Sequence, residues 1–166
     1  MLAVRLDQWG DGDVLRHISF ETVRGWIERL AGLPAPVRMG DIPGLAAEFG
    51  WEPTSIESRF RYEAEGESRF VRISGNDETG KLFDVAFDLA KNKEGDLSGN
   101  VAVVDFWPRY VEAFCGVWGE PWSVMTDVDM IDFIWKLHEQ GYAELTVWPD
   151  CLICRFAPMD RTEERW

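Results

Sequence analysis

Apolar residues first recur at a helical spacing. Phe20, Val23, Trp26, Ile27 and Leu30 repeat every three to four positions, and Ser19 stands where its hydroxyl can cap the first turn. Gly32 and the Pro34-Ala35-Pro36 run stop that helix. Asp41 opens a second, with Pro43 in its first turn, Ile42, Leu45, Ala46 and Phe49 on one face, and Gly50 at its close. Neither exceeds the ~12–15 residues that an isolated helix needs in water, so both require a larger surface to pack on.

The period then changes to two. From Ser55, Ile56, Ser58, Phe60, Tyr62 and Ala64 share one side, while Glu57, Arg59, Arg61 and Glu63 share the other. Glu65-Gly66 reads as a hairpin turn and Ser68–Ser74 as the next strand, with Val71 and Ile73 facing one way. After a loop at 75–80, Lys81–Leu89 places Phe83, Val85, Phe87 and Leu89 inward and Asp84 and Asp88 outward. A polar loop over Lys91–Gly99 leads to a fourth strand, Asn100–Asp105.

Next comes a predicted crossover helix. Asp105 or Trp107 caps it, Pro108 sits in its first turn, and Val111, Phe114, Cys115 and Trp118 form its apolar stripe. Gly119 and Pro121 end it. Thr126 and Asp129 have the spacing of a helix capping box, yet Ile131, Phe133, Trp135 and Leu137 alternate with Asp132, Lys136 and His138. Two more strand-like runs follow at Tyr142–Trp148 and Cys151–Phe156, joined by tight turns, so 131–138 reads as the first strand of a three-stranded meander. The expected fold is α+β: two N-terminal helices, an antiparallel sheet of about four strands, a crossover helix and the C-terminal meander. No internal repeat or linker divides the chain, so residues 1–166 are expected to form one domain, frayed over 1–16 and 158–166.

Charge narrows the possible partners. Thirty acidic against 17 basic residues give a formal charge of −13, which repels nucleic-acid phosphates and anionic membrane surfaces and favours a basic protein. The chain holds nine Trp and ten Phe, most of them expected in the core and a few at a surface that meets a partner. The first residues lack the apolar stretch of a signal peptide, and three cysteines make no disulfide framework. A cytoplasmic protein is the expectation.

Candidate chemistry is sparse. Cys151 and Cys154 form a CxxC, but residues three apart on a strand point to opposite faces and cannot readily share a bond or a metal. His17 and His138 have no partners at triad spacing. Asp84 and Asp88 lie about 13 Å apart along a strand, beyond a glycosidase pair. Glu63, Glu65 and Glu67 crowd one tip and Asp127, Asp129 and Asp132 another, neither with the spacing of a calcium loop. No phosphate-binding glycine motif or GxSxG is present. Catalytic residues, cofactor and metal are therefore all expected to be none.

Some landmarks carry a resemblance. The Asp41–Gly50 helix running into Gly50-Trp51, the β-rich middle, Trp118-Gly119-Glu120-Pro121 after the later helix, and the final meander together resemble a family of small bacterial proteins of unknown function. Members of that kind look like immunity proteins of polymorphic toxin systems, and the likeness spans about residues 17–157. The layout also resembles the acidic α+β chaperones of type III secretion, which are dimers wrapped around an extended client. The −13 charge, the surplus of aromatic residues and the lack of assembled chemistry lead, beside this resemblance, to the expectation of a non-enzymatic acidic protein that neutralises a basic partner such as a toxin domain. A chaperone-like dimer, and an enzyme or ligand-binding domain with a site built from scattered residues, are the alternatives. The expected contact residues are Asp84, Asp88, Trp135 and Trp148, in a monomer or a dimer.

Overall fold

The computed structural model describes residues 19–64, 67–91, 98–138 and 140–159. The N-terminal segment, His17, the Glu65-Gly66 turn and the tail from Asp160 lie outside the described residues.

Helix α1 spans Phe20–Ala31 and begins as its sequence requires: the Ser19 hydroxyl accepts the Thr22 N–H at 3.2 Å. Its expected stripe is its buried face. A 3-10 turn over Met39–Asp41 precedes helix α2, Ile42–Phe49. Asp41 stands at the N-cap of α2 without a side-chain capping bond; its carboxylate accepts the Arg38 N–H at 3.0 Å and ties back the preceding turn. Gly50 closes α2 in the left-handed conformation, with φ 77, and the next N–H, from Trp51, returns to the Ala46 carbonyl.

Helix α3 corrects the sequence reading. It runs from Ser98 to Trp118, so the predicted strand at Asn100–Asp105 is the first part of the helix. Pro108 is interior to the helix, and neither Asp105 nor Trp107 caps it. A Pro leaves the carbonyl four residues earlier without its donor, at a cost of about 3 kcal/mol. Packing offsets this: Tyr110 and Phe114 are fully buried, with Trp107, Val111, Cys115 and Trp118 partly buried around them.

The strands are β1 (Glu52–Pro53), β2 (Arg59–Ala64), β3 (Glu67–Gly75), β4 (Leu82–Lys91), β5 (Ser123–Asp127), β6 (Met130–Lys136), β7 (Gly141–Val147) and β8 (Cys151–Pro158). They form one antiparallel sheet in the order β1-β2-β3-β4-β8-β7-β6-β5. Two four-stranded meanders thus meet where β4 pairs with β8, from Val85↔Phe156 to Lys91↔Cys151. The expected sheet plus separate three-stranded meander becomes a single eight-stranded sheet. Two strands, β1 and β5, were not anticipated, and Pro158, expected to fray, ends β8. Helix α3 carries the chain from the centre of the sheet to its far edge. Each meander follows a helix closed by a left-handed glycine (Gly50 and Gly119) and a Glu-Pro pair (Glu52-Pro53 and Glu120-Pro121).

Register defines the two faces, because paired residues share a side. The row Phe60–Val71–Phe87–Cys154–Leu145–Phe133 is buried and faces the helices. Trp26 of α1 centres one aromatic cluster there, with the rings of Trp51, Tyr62 and Phe87 at 5.1, 5.0 and 5.6 Å. Phe114 of α3 centres another, with Phe20, Trp118 and Trp135 at 5.2, 4.9 and 5.1 Å.

Bulges modify the alternation in β4. Ser74 pairs with Asp84 but Gly75 with Leu82, which leaves Phe83 out of register and half-buried and turns Leu82 into the core. A second irregularity between Asp88 and Ala90 leaves both Leu89 and Ala90 buried. The strand expected from Ser55 starts at Arg59; Ile56 lies in the preceding turn and is 49% exposed.

Candidate interaction surface

The sheet face away from the helices carries charge across its central strands. The Arg72 guanidinium brackets the Asp88 carboxylate at 2.9 and 3.4 Å. Two strands further on, Arg155 donates to the Thr146 hydroxyl at 3.0 Å, and that hydroxyl donates to Asp132 at 2.8 Å. Arg155 also lies 3.7 Å from the Glu144 carboxylate. Asp88, Asp132, Glu144 and Thr146 are all buried, as are Ala86 and Ile134 on the same face. Pairing is what makes such burial tolerable, since an isolated charge there would cost several kcal/mol. This face is therefore a closed, internally satisfied polar layer at its centre.

Openness lies at one edge. Among the described residues strand β5 is terminal in the sheet and hydrogen-bonded on one side only, to β6. Trp122, Val124, Met125 and Val128 are all exposed there, Val128 to 93%. Trp148, which follows β7 at the same end of the sheet, is 37% exposed. Of the seven tryptophans in the described residues, only Trp122 and Trp148 are exposed. The Lys136 ammonium sits 4.5 Å over the Trp122 ring, and the Tyr142 ring is 5.7 Å away. Glu120, Asp127, Asp129 and Asp150 are exposed around this edge.

The four residues expected to meet a partner are not brought together. Trp135 is fully buried, its indole N–H donating to the Gly119 carbonyl at 3.1 Å, so it offers no surface. Asp88, expected to point freely outward, is held by Arg72 with its carboxylate side chain only 12% exposed. Asp84 is half-buried on the same strand, and Trp148 is exposed in the turn after β7, two strands in from β5. Asp132, read with Asp127 and Asp129 as one acidic loop, is buried in β6 instead.

Cys154 is buried on the helix-facing side and burial pushes its thiol pKa well up, with the Glu144 charge adding to the shift. Burial raises Cys115 too. Thiols held protonated are poor nucleophiles and poor metal ligands. Among the described residues, no three His, Cys, Asp or Glu side chains gather where a metal ion could be held. His138 occupies a left-handed position, φ 55, in the exposed turn after β6.

Sequence reasoning missed β5 because Thr126 and Asp129 at capping-box spacing competed with strand alternation. The signal was present: Ser123-Val124-Met125-Thr126 follows a helix-stopping Pro121, and Asp127-Val128-Asp129 is turn-like.

Fold and surface define an acidic α+β protein with one wide antiparallel sheet, helices on one face and an exposed apolar edge. The chain belongs to the family of unknown function DUF6301, whose model matches residues 21–149. No curated protein and no solved structure matches it. No described helix is long and apolar enough to cross a membrane.

Proposed function

We propose that this protein is a non-enzymatic binding protein of the immunity type, which neutralises a basic partner such as a toxin domain. The observation that carries the reading is the acidic excess, −13 overall, joined to exposed aromatic and aliphatic side chains ringed by carboxylates. Apolar anchors supply affinity in such an interface, and surrounding charge speeds encounter with an oppositely charged protein. The reading rests on charge and surface, and family membership adds no activity to it.

The test is calorimetry with purified basic domains encoded beside this gene, at low and physiological salt. Submicromolar binding that weakens as salt rises is expected, together with protection of cells in which the domain is toxic. Absence of binding to every such domain at low salt overturns the proposal.

A further inference from the structure

The two edges of the sheet are built differently. Strand β1 has two residues, one of them Pro53, and its Glu52 is ion-paired to Arg61 at 2.8 Å. Short length, proline and charge are the features that keep an edge from accepting another strand. Strand β5 has five residues, no proline, and β-branched Val124 and Thr126. Its residues 123–126 carry no charge, and among the described residues its backbone pairs only with β6. Among the described residues, four of the seven exposed large apolar side chains lie within Trp122–Val128.

We infer that β5 is the docking edge, and that it takes an extended, basic segment of a partner protein as a ninth strand. This deepens the proposed function and rests on it. Main-chain hydrogen bonds along β5 would hold the added strand, while the exposed apolar side chains grip alternate residues. Charge selects the occupant. Gly119–Met130 contains Glu120, Asp127 and Asp129 and no Lys, Arg or His, and Asp150 stands in the turn beyond Trp148, so acid remains in excess here even with the Lys136 ammonium over the Trp122 ring. A strand with Lys or Arg at its ends matches this edge, whereas a second copy of the chain brings another −13 of charge to it.

The probe is an acetylated, amidated ten-residue peptide alternating Lys with Thr or Val, and a control with Glu in place of Lys. Both are titrated into the full-length protein at low salt, with amide hydrogen exchange read along the chain. The basic peptide is expected to bind at least tenfold more tightly than the acidic one and to slow exchange within 123–127. Thr126→Pro and the charge reversal Asp127→Lys/Asp129→Lys are each expected to weaken binding at least tenfold. If the proline variant does not fold by circular dichroism, the charge reversal and the wild-type exchange map decide. Binding that leaves exchange in 123–127 unchanged, or ignores both variants, overturns the edge assignment while the basic-partner reading stands. Equal affinity for the two peptides removes that reading and the edge assignment with it. A dimer by light scattering whose β5 is protected without peptide overturns the inference in favour of a second copy.

Discussion

Tyr62 offers a test of the core that depends on pH. Its side chain is 5% exposed among the rings around Trp26, and its hydroxyl donates to the main-chain carbonyl of Asp88. Burial first, and the Asp88 charge second, hold the phenol pKa far above its ordinary 10.0; the opposing pull of Arg69 is smaller. As pH passes about 10, the unfolded chain therefore releases this proton while the folded one keeps it. The folded state then binds more protons, so stability falls as pH rises, by about 1 kcal/mol between pH 10 and 11 for this one group. Tyr62→Phe removes the ionisation and also the donor to a buried carbonyl. At pH 7 the variant should be less stable by about 1–3 kcal/mol. Between pH 8 and 11 that deficit should shrink by about 1.4 kcal/mol, because only the wild type loses the contribution of Tyr62. Tyr110 and Cys154 are pushed up chiefly by burial too, which the variant keeps, and they add a further alkaline decline to both proteins. Urea unfolding followed by tryptophan fluorescence at each pH measures the gap. A gap constant from pH 8 to 11 would refute the account, since Tyr62 would then ionise alike in both states.

Three further outcomes follow from packing and burial. Phe114→Ala, at the centre of the α3 ring cluster, should cost about 3–5 kcal/mol in urea unfolding, and Trp118→Ala less because Trp118 is only partly buried. Gly141→Ala places a methyl 2.4 Å from the Ala157 carbonyl oxygen at φ 150, so melting should show a loss of at least about 2 kcal/mol. In thiol labelling at pH 8 read by mass spectrometry, half-buried Cys151 should react first and Cys115 more slowly. Buried Cys154 should react only as the protein unfolds.

The helices with caps and full stripes were legible in the sequence. In α1 and α2 the cap or proline, the spacing and the terminal glycine agree, and the structure agrees with them. Val101–Val104 was not legible, because an apolar β-branched run suits a strand or a packed helix alike, and Pro108 mimicked a first-turn proline. The structure makes this run helical, and a local pattern that suits both forms does not show which one is adopted. The same limit governs the surface. Charge excess was visible from composition, but which acids remain exposed depends on pairings such as Arg72–Asp88, made by residues 16 apart. Trp135, an expected contact residue, lies where its alternation with Ile131, Phe133 and Leu137 sets it, buried against Phe114, and the exposed edge falls to Trp122 and Val124 instead.

The seam between β4 and β8 has a consequence for how the molecule assembles. Six of the seven strand pairings join neighbours in the chain and close short loops, whereas this one joins residues such as Val85 and Phe156. Loop-closure entropy makes so distant a pairing late and slow, while each meander can form early from local contacts. The seam is therefore expected to close after the local pairings of each meander. Until it zips, both halves expose unpaired central strands, the most adhesive surfaces this chain possesses.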